Sequence, residues 1–182
     1  MQYHTPRLIL REINLSDLDE YSKMNADPIV MQYLGIHTRE QTLAGIEQIQ
    51  QHYLKHQYGV YVVTNKKDEF IGIIGLEDTD GILPYGKCVE LLWILNQQFW
   101  GNGYATEAAI KCLEIGFDAG LPEIVSLTAK INIASQNLME KLGMTQVPDS
   151  NFNHPKLATD NPLNPQVLFR ITREQFNQLY QM

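Results

Sequence analysis

The feature that most restricts the fold of this chain is a change of pattern near its middle. Residues 87–95, KCVELLWIL, form an apolar run of strand type, and from Tyr104 onwards apolar residues recur at helical spacing. Between them lies QQFWGNG, in which Gly101 and Gly103 are one residue apart. Glycine tolerates a positive φ and lets a ligand approach the main chain closely. The segment therefore predicts a strand, a turn and a helix that present backbone groups to a ligand.

The predicted ligand of this turn is an anion. The first N–H groups of a helix have no partner inside the helix, and they lie at the positive end of its dipole. Such a site can hold a polyphosphate without lysine. Two other phosphate-binding patterns are excluded. GxGxxG fails because Thr106 replaces the third glycine, and GxxxxGK[ST] is absent.

The rest of the chain alternates between strand and helix patterns, which predicts one α/β domain over residues 1–182. We expect a mixed, mostly antiparallel sheet of about six to seven strands flanked by helices. Strands are predicted at 5–13, 58–65, 70–78, 87–95, 123–130 and 167–172, with a loop at 79–86 and at most one short strand within 145–166. Helices are predicted at 17–26, opened by a capping box of Ser16 and Asp19, at 39–56, opened by Thr38 and Gln41, from Tyr104 to Gly120, from Asn132 to Gly143, and at 173–180.

Composition narrows the function classes. The net charge of −7 argues against a protein that binds duplex DNA, and it suits a cationic partner such as an amine. Cys88 and Cys112 lack CxxC spacing, so we expect core thiols and neither a zinc site nor a disulfide. No apolar stretch approaches the roughly 20 residues that span a bilayer, and charge interrupts the N-terminus too early for a signal peptide. We expect a cytoplasmic protein that binds neither nucleic acid nor membrane.

Residues 98–103, QFWGNG, match the pattern Q/R-x-x-G-x-G/A. By this pattern the chain resembles the GNAT superfamily of N-acetyltransferases, whose turn of this form holds the pyrophosphate of acetyl-coenzyme A (acetyl-CoA). Residues 129–144, AKINIASQNLMEKLGM, resemble the N-x-x-S-x-x-x-x-E/K-x-G-F/M segment of the branch that acetylates the N-termini of ribosomal proteins. TPRLILRE and VLFRITREQF resemble the first and last strands of that branch. The resemblance implies the GNAT fold and an acyltransferase that uses acetyl-CoA without a metal.

The resemblance also implies which residues bind acetyl-CoA. The end of the strand, at residues 92–95, is expected to offer backbone groups to the pantetheine arm and an N–H group to the thioester oxygen. Asn132 has two compatible predicted roles, as the N-cap of its helix and as a contact to pantetheine. The predicted cofactor-binding residues are Ile94, Leu95, Gln98, Phe99, Trp100, Gly101, Asn102, Gly103, Tyr104, Ala105, Thr106, Asn132 and Ser135.

Acetyl transfer needs a neutral amine, a polarised thioester and a proton for the departing thiolate. Ser135 could supply that proton, or it could be a structural serine that hydrogen-bonds within its helix. Many relatives instead place a tyrosine at the position of Met139, which cannot donate a proton. Glu90 could receive the amine proton through a water, or it could be a solvent-facing strand carboxylate. Glu77 and Asp78 could share either that task or the attraction of a cationic substrate.

The sequence does not identify the amine that accepts the acetyl group. It is either the α-amine of a protein N-terminus or a small amine such as a polyamine or an aminoglycoside. A non-catalytic module that binds CoA is a third possibility. In the family, the acceptor pocket is built from the first helices and late loops, here about 24–40 and 148–165, which carry no interpretable motif. The sequence leaves monomer and homodimer equally open.

Overall fold

The computed structural model of the chain describes residues 2–79, 81, 86–148 and 151–180. The strands are β1 (Gln2–His4), β2 (Leu8–Glu12), β3 (Val60–Asn65), β4 (Phe70–Asp78), β5 (Val89–Leu95), β6 (Glu123–Ala129), β7 (Thr145–Gln146), β8 (Phe152–Asn153) and β9 (Pro165–Thr172). The α-helices are α1 (Leu18–Asn25), α2 (Arg39–Tyr53), α3 (Tyr104–Asp118), α4 (Ile133–Lys141) and α5 (Arg173–Tyr180). Most of the predicted loop at 79–86 lies outside the described residues, as do residues 149 and 150 of the predicted acceptor loop.

Within the described ranges, nine strands form one sheet in the order β1-β2-β3-β4-β5-β6-β9-β7, and β8 also pairs with β9. β5 and β6 are its one parallel pair there, joined through α3, and every other pair is antiparallel. The predicted mixed, mostly antiparallel sheet with flanking helices is confirmed. The sheet is wider than predicted because β1 was not predicted and residues 145–166 contain two short strands where at most one was expected.

The core divides between the two faces of this sheet. On one face α3 and α5 pack over the strands, with Cys112 and Leu113 fully buried and the rings of Phe117 and Phe176 5.0 Å apart. On the other face α1 and α2 contribute Met24 and Ile46 to a second cluster. Strand side chains alternate between these clusters, so β5 directs Leu91 to the first and Leu92 to the second.

The first helix lies where residues 17–26 were predicted, but its capping box was placed two residues too late. The capping box is formed by Asn14 and Asp17, not by Ser16 and Asp19, and it opens a 3₁₀ turn, Leu15–Asp17, that leads into α1. Asp17 takes the capping position because Arg11 of β2 donates two hydrogen bonds to its carboxylate, at 2.8 and 2.6 Å. Sequence spacing does not show this contact. The capping box of Thr38 and Gln41 on α2 is confirmed.

Both ends of the sheet also differ from prediction. Residues 2–4 form β1, which pairs with β2 and extends the sheet by one edge strand. The segment 145–166 contains two short strands where at most one was expected, because both β7 and β8 pair with β9. Strands of two residues carry no periodicity of their own, so only pairing with a neighbour defines them.

Candidate active site

The turn between β5 and α3 has the conformation that its glycines predict. Gly101 and Gly103 have φ values of 74° and 76°, and Gly103 is the N-cap of α3. The Asn102 side chain donates to the carbonyl oxygens of Phe99 and Trp100, both at 3.1 Å. The Trp100 indole donates to the Leu95 carbonyl at 2.8 Å. Hydrogen bonds from the turn's own side chains therefore hold both of its ends in place.

The backbone of this turn leaves a row of donors without partners. Among the described residues, none of the N–H groups from Gly101 through Thr106 has a hydrogen-bond acceptor. They surround the positive end of a helix of 15 residues. This arrangement suits a polyphosphate. It also places the predicted residues 101–106 on one surface.

Sequence reasoning missed a clamp from the start of the chain that holds the turn. Arg7 donates from Nε to Glu107 at 2.6 Å and from Nη1 to the Asn102 carbonyl at 2.9 Å, and its guanidinium lies 4.8 Å from the Tyr104 ring centroid. The Thr5 hydroxyl donates to the same Glu107 at 2.6 Å. Burial favours a higher pKa for Glu107, but the bonds from Thr5 and Arg7 outweigh it and lower the pKa. The carboxylate is thus kept charged beneath the turn.

Next to the turn, β5 and β6 separate. Their register contains a single pair, Glu90 with Val125, after which the two strands diverge. The Leu91 carbonyl still reaches across, accepting from the Ser126 hydroxyl at 2.8 Å. Among the described residues the two strands form no further registered pair beyond that contact, so we infer a gap between their backbones.

Alternation along β5 decides which backbone groups face this gap. In an antiparallel ladder, alternate residues direct both N–H and C=O to the same neighbour. Because Leu91 points towards β6, Trp93 and Leu95 do so as well, whereas Ile94 is directed to β4, where its carbonyl lies against Gly72. A Cβ on Gly72 would come within 2.2 Å of that carbonyl. Trp93, which lies within the predicted range 92–95 but not among the individually predicted binding residues, is therefore the better-placed backbone donor, and Ile94 the poorer one.

The N-terminus of α4 is organised by Asn132, as predicted. Its side-chain oxygen accepts from the Ser135 N–H at 3.2 Å, so the cap is confirmed. Its amide donates to the hydroxyls of Thr128 and Ser135, both at 3.0 Å. Because the Ser135 oxygen accepts a hydrogen bond from Asn132, the Ser135 hydroxyl proton is left to point elsewhere. Met139, at the position of the tyrosine in many relatives, is a buried core residue.

Glu90 is not the solvent-facing carboxylate of the alternative interpretation. Its side chain is partly buried where β5 and β6 begin to part, with Glu77 directly opposite on β4. Burial, reinforced by the charge of Glu77, raises the pKa of Glu90 to about 8, although a hydrogen bond from the Leu127 N–H opposes the rise. A carboxyl with this pKa is suited to accept a proton near neutral pH.

These groups occupy two ends of one gap. The carboxyl ends of parallel strands share an edge of the sheet, so the β5–α3 turn and the N-terminus of α4 lie on the same side. Glu90 stands at the closed end, five residues from Leu95 and hence roughly 16 Å along the strand at about 3.3 Å per residue. Ser135 and the turn thus lie at the same edge of the sheet, and Glu90 lies towards the other end of β5.

Comparison with known proteins identifies the family to which the chain belongs. The sequence model of a family described as acetyltransferase (GNAT) domain matches residues 7–145. The chain belongs to the GNAT acetyltransferase family. It is accordingly an acyltransferase, and the matched range contains the turn, Glu90 and Ser135. Membership supports acetyl-CoA as the acetyl donor.

Individual relatives of this GNAT enzyme agree on the fold and differ in acceptor. An uncharacterised N-acetyltransferase of Bacillus subtilis, YnaD, is 30% identical over 79% of this chain and 82% of its own. A spermidine N-acetyltransferase of Vibrio cholerae is 18% identical, with a TM-score of 0.75 over 94% of this chain and 99% of that one. A putative ribosomal-protein-serine acetyltransferase of the same organism is 16% identical, with a TM-score of 0.74 over 94% and 97%. At these identities the two structures show the fold and do not separate the acceptor classes.

Two further expectations concern the surroundings of the site. Among the described residues, no helix combines the length and apolar character that crossing a bilayer requires. Of the predicted acceptor segments, 24–40 is fully described, and it exposes the large apolar side chains Leu34 and Ile36.

Proposed function

We infer that this GNAT enzyme transfers the acetyl group of acetyl-CoA to a primary amine by direct attack within a ternary complex. The observation that carries this inference is the row of N–H groups at residues 101–106, which find no acceptor in the part of the chain that the structure describes and lie at the edge of the gap between β5 and β6. A diphosphate accepts hydrogen bonds from these N–H groups. The pantetheine arm pairs with backbone groups of β5 that have no strand partner among the described residues. The predicted binding residues 98–106, together with Leu95 and Asn132, are assigned to acetyl-CoA on this basis.

The gap also explains how the thioester is activated. A backbone N–H of Trp93 or Leu95 donates to its carbonyl oxygen, where negative charge develops during attack. Holding the amine and thioester in line contributes an effective molarity of about 10⁵ M or more. Glu90 receives the amine proton through a chain of waters, since its raised pKa makes it a competent base near pH 8.

Ser135 is assigned as the acid that protonates the departing thiolate. Replacing Ser135 with alanine is expected to lower kcat by about 100-fold, with little change in KM for acetyl-CoA, because the proton is needed only as the C–S bond breaks. Steady-state kinetics measures both quantities. Ser126→Ala is the control, since that hydroxyl already donates to the Leu91 carbonyl. If Ser135→Ala changed kcat and KM by the same factor, Ser135 would not be the general acid.

Arg7 is assigned to hold the diphosphate turn in place. Arg7→Ala is expected to raise KM for acetyl-CoA about tenfold with little change in kcat, because the turn loses its anchor to Glu107 and to the Asn102 carbonyl. Arg39→Ala is the matched control, since Arg39 forms an exposed pair with Asp19 on the first helices. A KM for Arg7→Ala equal to that of the control would contradict the role of the clamp.

The acceptor is assigned as a protein N-terminal α-amine, supported by the likeness of residues 129–144 to the branch that acetylates ribosomal proteins. A small polyamine is the second candidate. The facing carboxyls of Glu77 and Glu90, with a buried Tyr21 whose pKa is raised by burial and by Glu77, favour it. Two acidic groups at the closed end of a gap attract a cation.

Release of free thiol from acetyl-CoA separates these candidates. The panel contains peptides with a free N-terminal serine or alanine, the same peptides with a blocked N-terminus, spermidine and an aminoglycoside. Release with free-ended peptides alone supports the N-terminal assignment, and release with spermidine alone supports the second candidate. Binding of CoA by calorimetry without release on any amine would overturn catalysis in favour of a non-catalytic module.

A further inference from the structure

Away from the active site, the ends of α2 and β4 bring three metal-ligating side chains together. His52 lies in the last turn of α2, and the His56 N–H still donates to the His52 carbonyl at 3.1 Å, so the two are one helical turn apart. Asp78 is the last residue of β4. Its Oδ2 lies 2.8 Å from His52 Nε2 and 3.4 Å from His56 Nε2, and ligand atoms of all three residues lie within 4.8 Å of one another.

The spacing of these atoms matches a tetrahedral metal centre. Zinc binds imidazole nitrogen and carboxylate oxygen at about 2.0–2.2 Å, which puts neighbouring ligand atoms roughly 3.3 Å apart. The contact between His56 and Asp78 already has this length, and the one between His52 and Asp78 needs to lengthen by about half an ångström. The two imidazoles are stacked with centroids 4.3 Å apart and an interplanar angle of 20°. Histidines four residues apart on one helical face are a recurring zinc-binding arrangement.

A histidine–aspartate hydrogen bond alone does not explain the cluster. A single hydrogen bond needs only one imidazole, yet the Nε2 atoms of two histidines converge on Asp78 Oδ2. His52 Nδ1 is buried and has no hydrogen-bond partner among the described residues. The Tyr58 hydroxyl lies 3.3 and 3.2 Å from the two carboxylate oxygens, as an outer-shell group that orients a ligand would.

The donor set selects the kind of ion. Two imidazoles and one carboxylate favour zinc and its transition-metal neighbours over magnesium or calcium, which prefer oxygen. The three side chains are 16%, 32% and 41% exposed, so an ion enters from solvent and keeps a water as its fourth ligand.

We propose that His52, His56 and Asp78 bind zinc. The ion ties the end of α2 to the end of β4, one residue beyond Glu77 of the acidic pair. No metal was expected from the cysteine spacing and the family resemblance. Asp78 lies on a separate element from the histidines, so the set forms only when α2 meets the sheet.

The full chain, stripped of metal by a chelator, is titrated with Co²⁺, which gives visible absorption bands when bound by nitrogen and oxygen ligands. A second series follows the melting temperature as zinc is added. We expect saturable bands with cobalt and a melting temperature that rises with zinc, because an ion that binds only the folded state stabilises it. His56→Ala and Asp78→Asn are each expected to weaken binding by more than about 100-fold, the upper end of what outer-shell changes cost.

His37→Ala is the matched control, since it removes an exposed histidine outside the cluster. Wild-type binding by that variant and loss of binding by both cluster variants would support the site, provided that their metal-free melting temperatures match the wild type. If the metal-free His56→Ala variant is less stable than the wild type, the test rests on metal binding by Asp78→Asn. Absence of cobalt bands and of any zinc-dependent shift in the wild type overturns the proposal, as does wild-type affinity in either cluster variant. Both readouts are independent of acetyl transfer.

Discussion

Replacing Gly103 with valine is expected to raise KM for acetyl-CoA by at least about 100-fold, equivalent to about 2.7 kcal/mol of lost binding. Gly103 has a φ of 76°, in the left-handed region that a β-branched side chain scarcely tolerates. Relieving that strain shifts the backbone at the N-cap of α3, which turns the N–H groups of residues 103–106 away from their common target. Steady-state kinetics and calorimetry with CoA measure the loss.

The matched control lies at the other end of the same helix. Gly120 has a φ of 98°, and a Cβ there would meet nothing within 4 Å, so Gly120→Val brings similar backbone strain without touching the turn. We expect Gly120→Val to lower the melting temperature while CoA binding stays at the wild-type value. If both variants bound CoA equally well, the diphosphate would have to be held elsewhere, and the assignment of the turn would be lost.

The second large effect is expected at Glu90. In the wild type, kcat/KM should rise with pH through about 8, because Glu90 accepts a proton only after losing its own and its pKa is raised to about 8. Glu90→Gln should lower kcat/KM at pH 9 by about 100-fold, the lower end of what general base catalysis contributes, and should abolish this limb of the pH profile. An unchanged profile would exclude Glu90 as the base.

Glu77→Gln serves as the companion variant for that experiment. Glu77 faces Glu90 across the β4–β5 ladder, and its negative charge contributes to the raised pKa of Glu90. Removing the charge should move the limb of the profile to lower pH and leave the plateau rate near the wild-type value. A loss of plateau rate as large as that of Glu90→Gln would transfer the base role to Glu77.

Glu90→Gln also separates catalysis from stability. The pKa of Glu90 rises from about 4.3 in the unfolded chain to about 8 in the folded one, so the folded chain holds the proton more tightly between these values. The wild-type free energy of unfolding therefore falls as pH rises across that window. We expect Glu90→Gln to be more stable than the wild type at pH 9 by about 2–4 kcal/mol, and to lose this advantage near pH 4. Urea denaturation at both pH values measures it, and an inactive but stabilised variant shows that its activity is not lost by unfolding.

Local sequence was sufficient wherever one segment carries its own signal. The positive φ of Gly101 and Gly103, the N-cap at Asn132 and the capping box of Thr38 all follow from residues a few positions apart. The same holds for α3, because its apolar stripe is long and periodic. Where the signal was short, as in β7 and β8, the prediction was wrong. The assignment of residues 1–182 to one domain stays a prediction.

What the sequence determined by itself is the strand, turn and helix around Gly103 and, through their pattern, membership of the GNAT family. What only the tertiary structure decided is each contact between distant segments: Arg7 against Glu107, Glu77 against Glu90, and Asp78 against His52 and His56. A glycine turn is encoded by steric limits on neighbouring φ and ψ angles, which the local residues set. A pKa, an ion pair or a ligand set depends on burial and on distances across the sheet, and these exist only once the strands have paired.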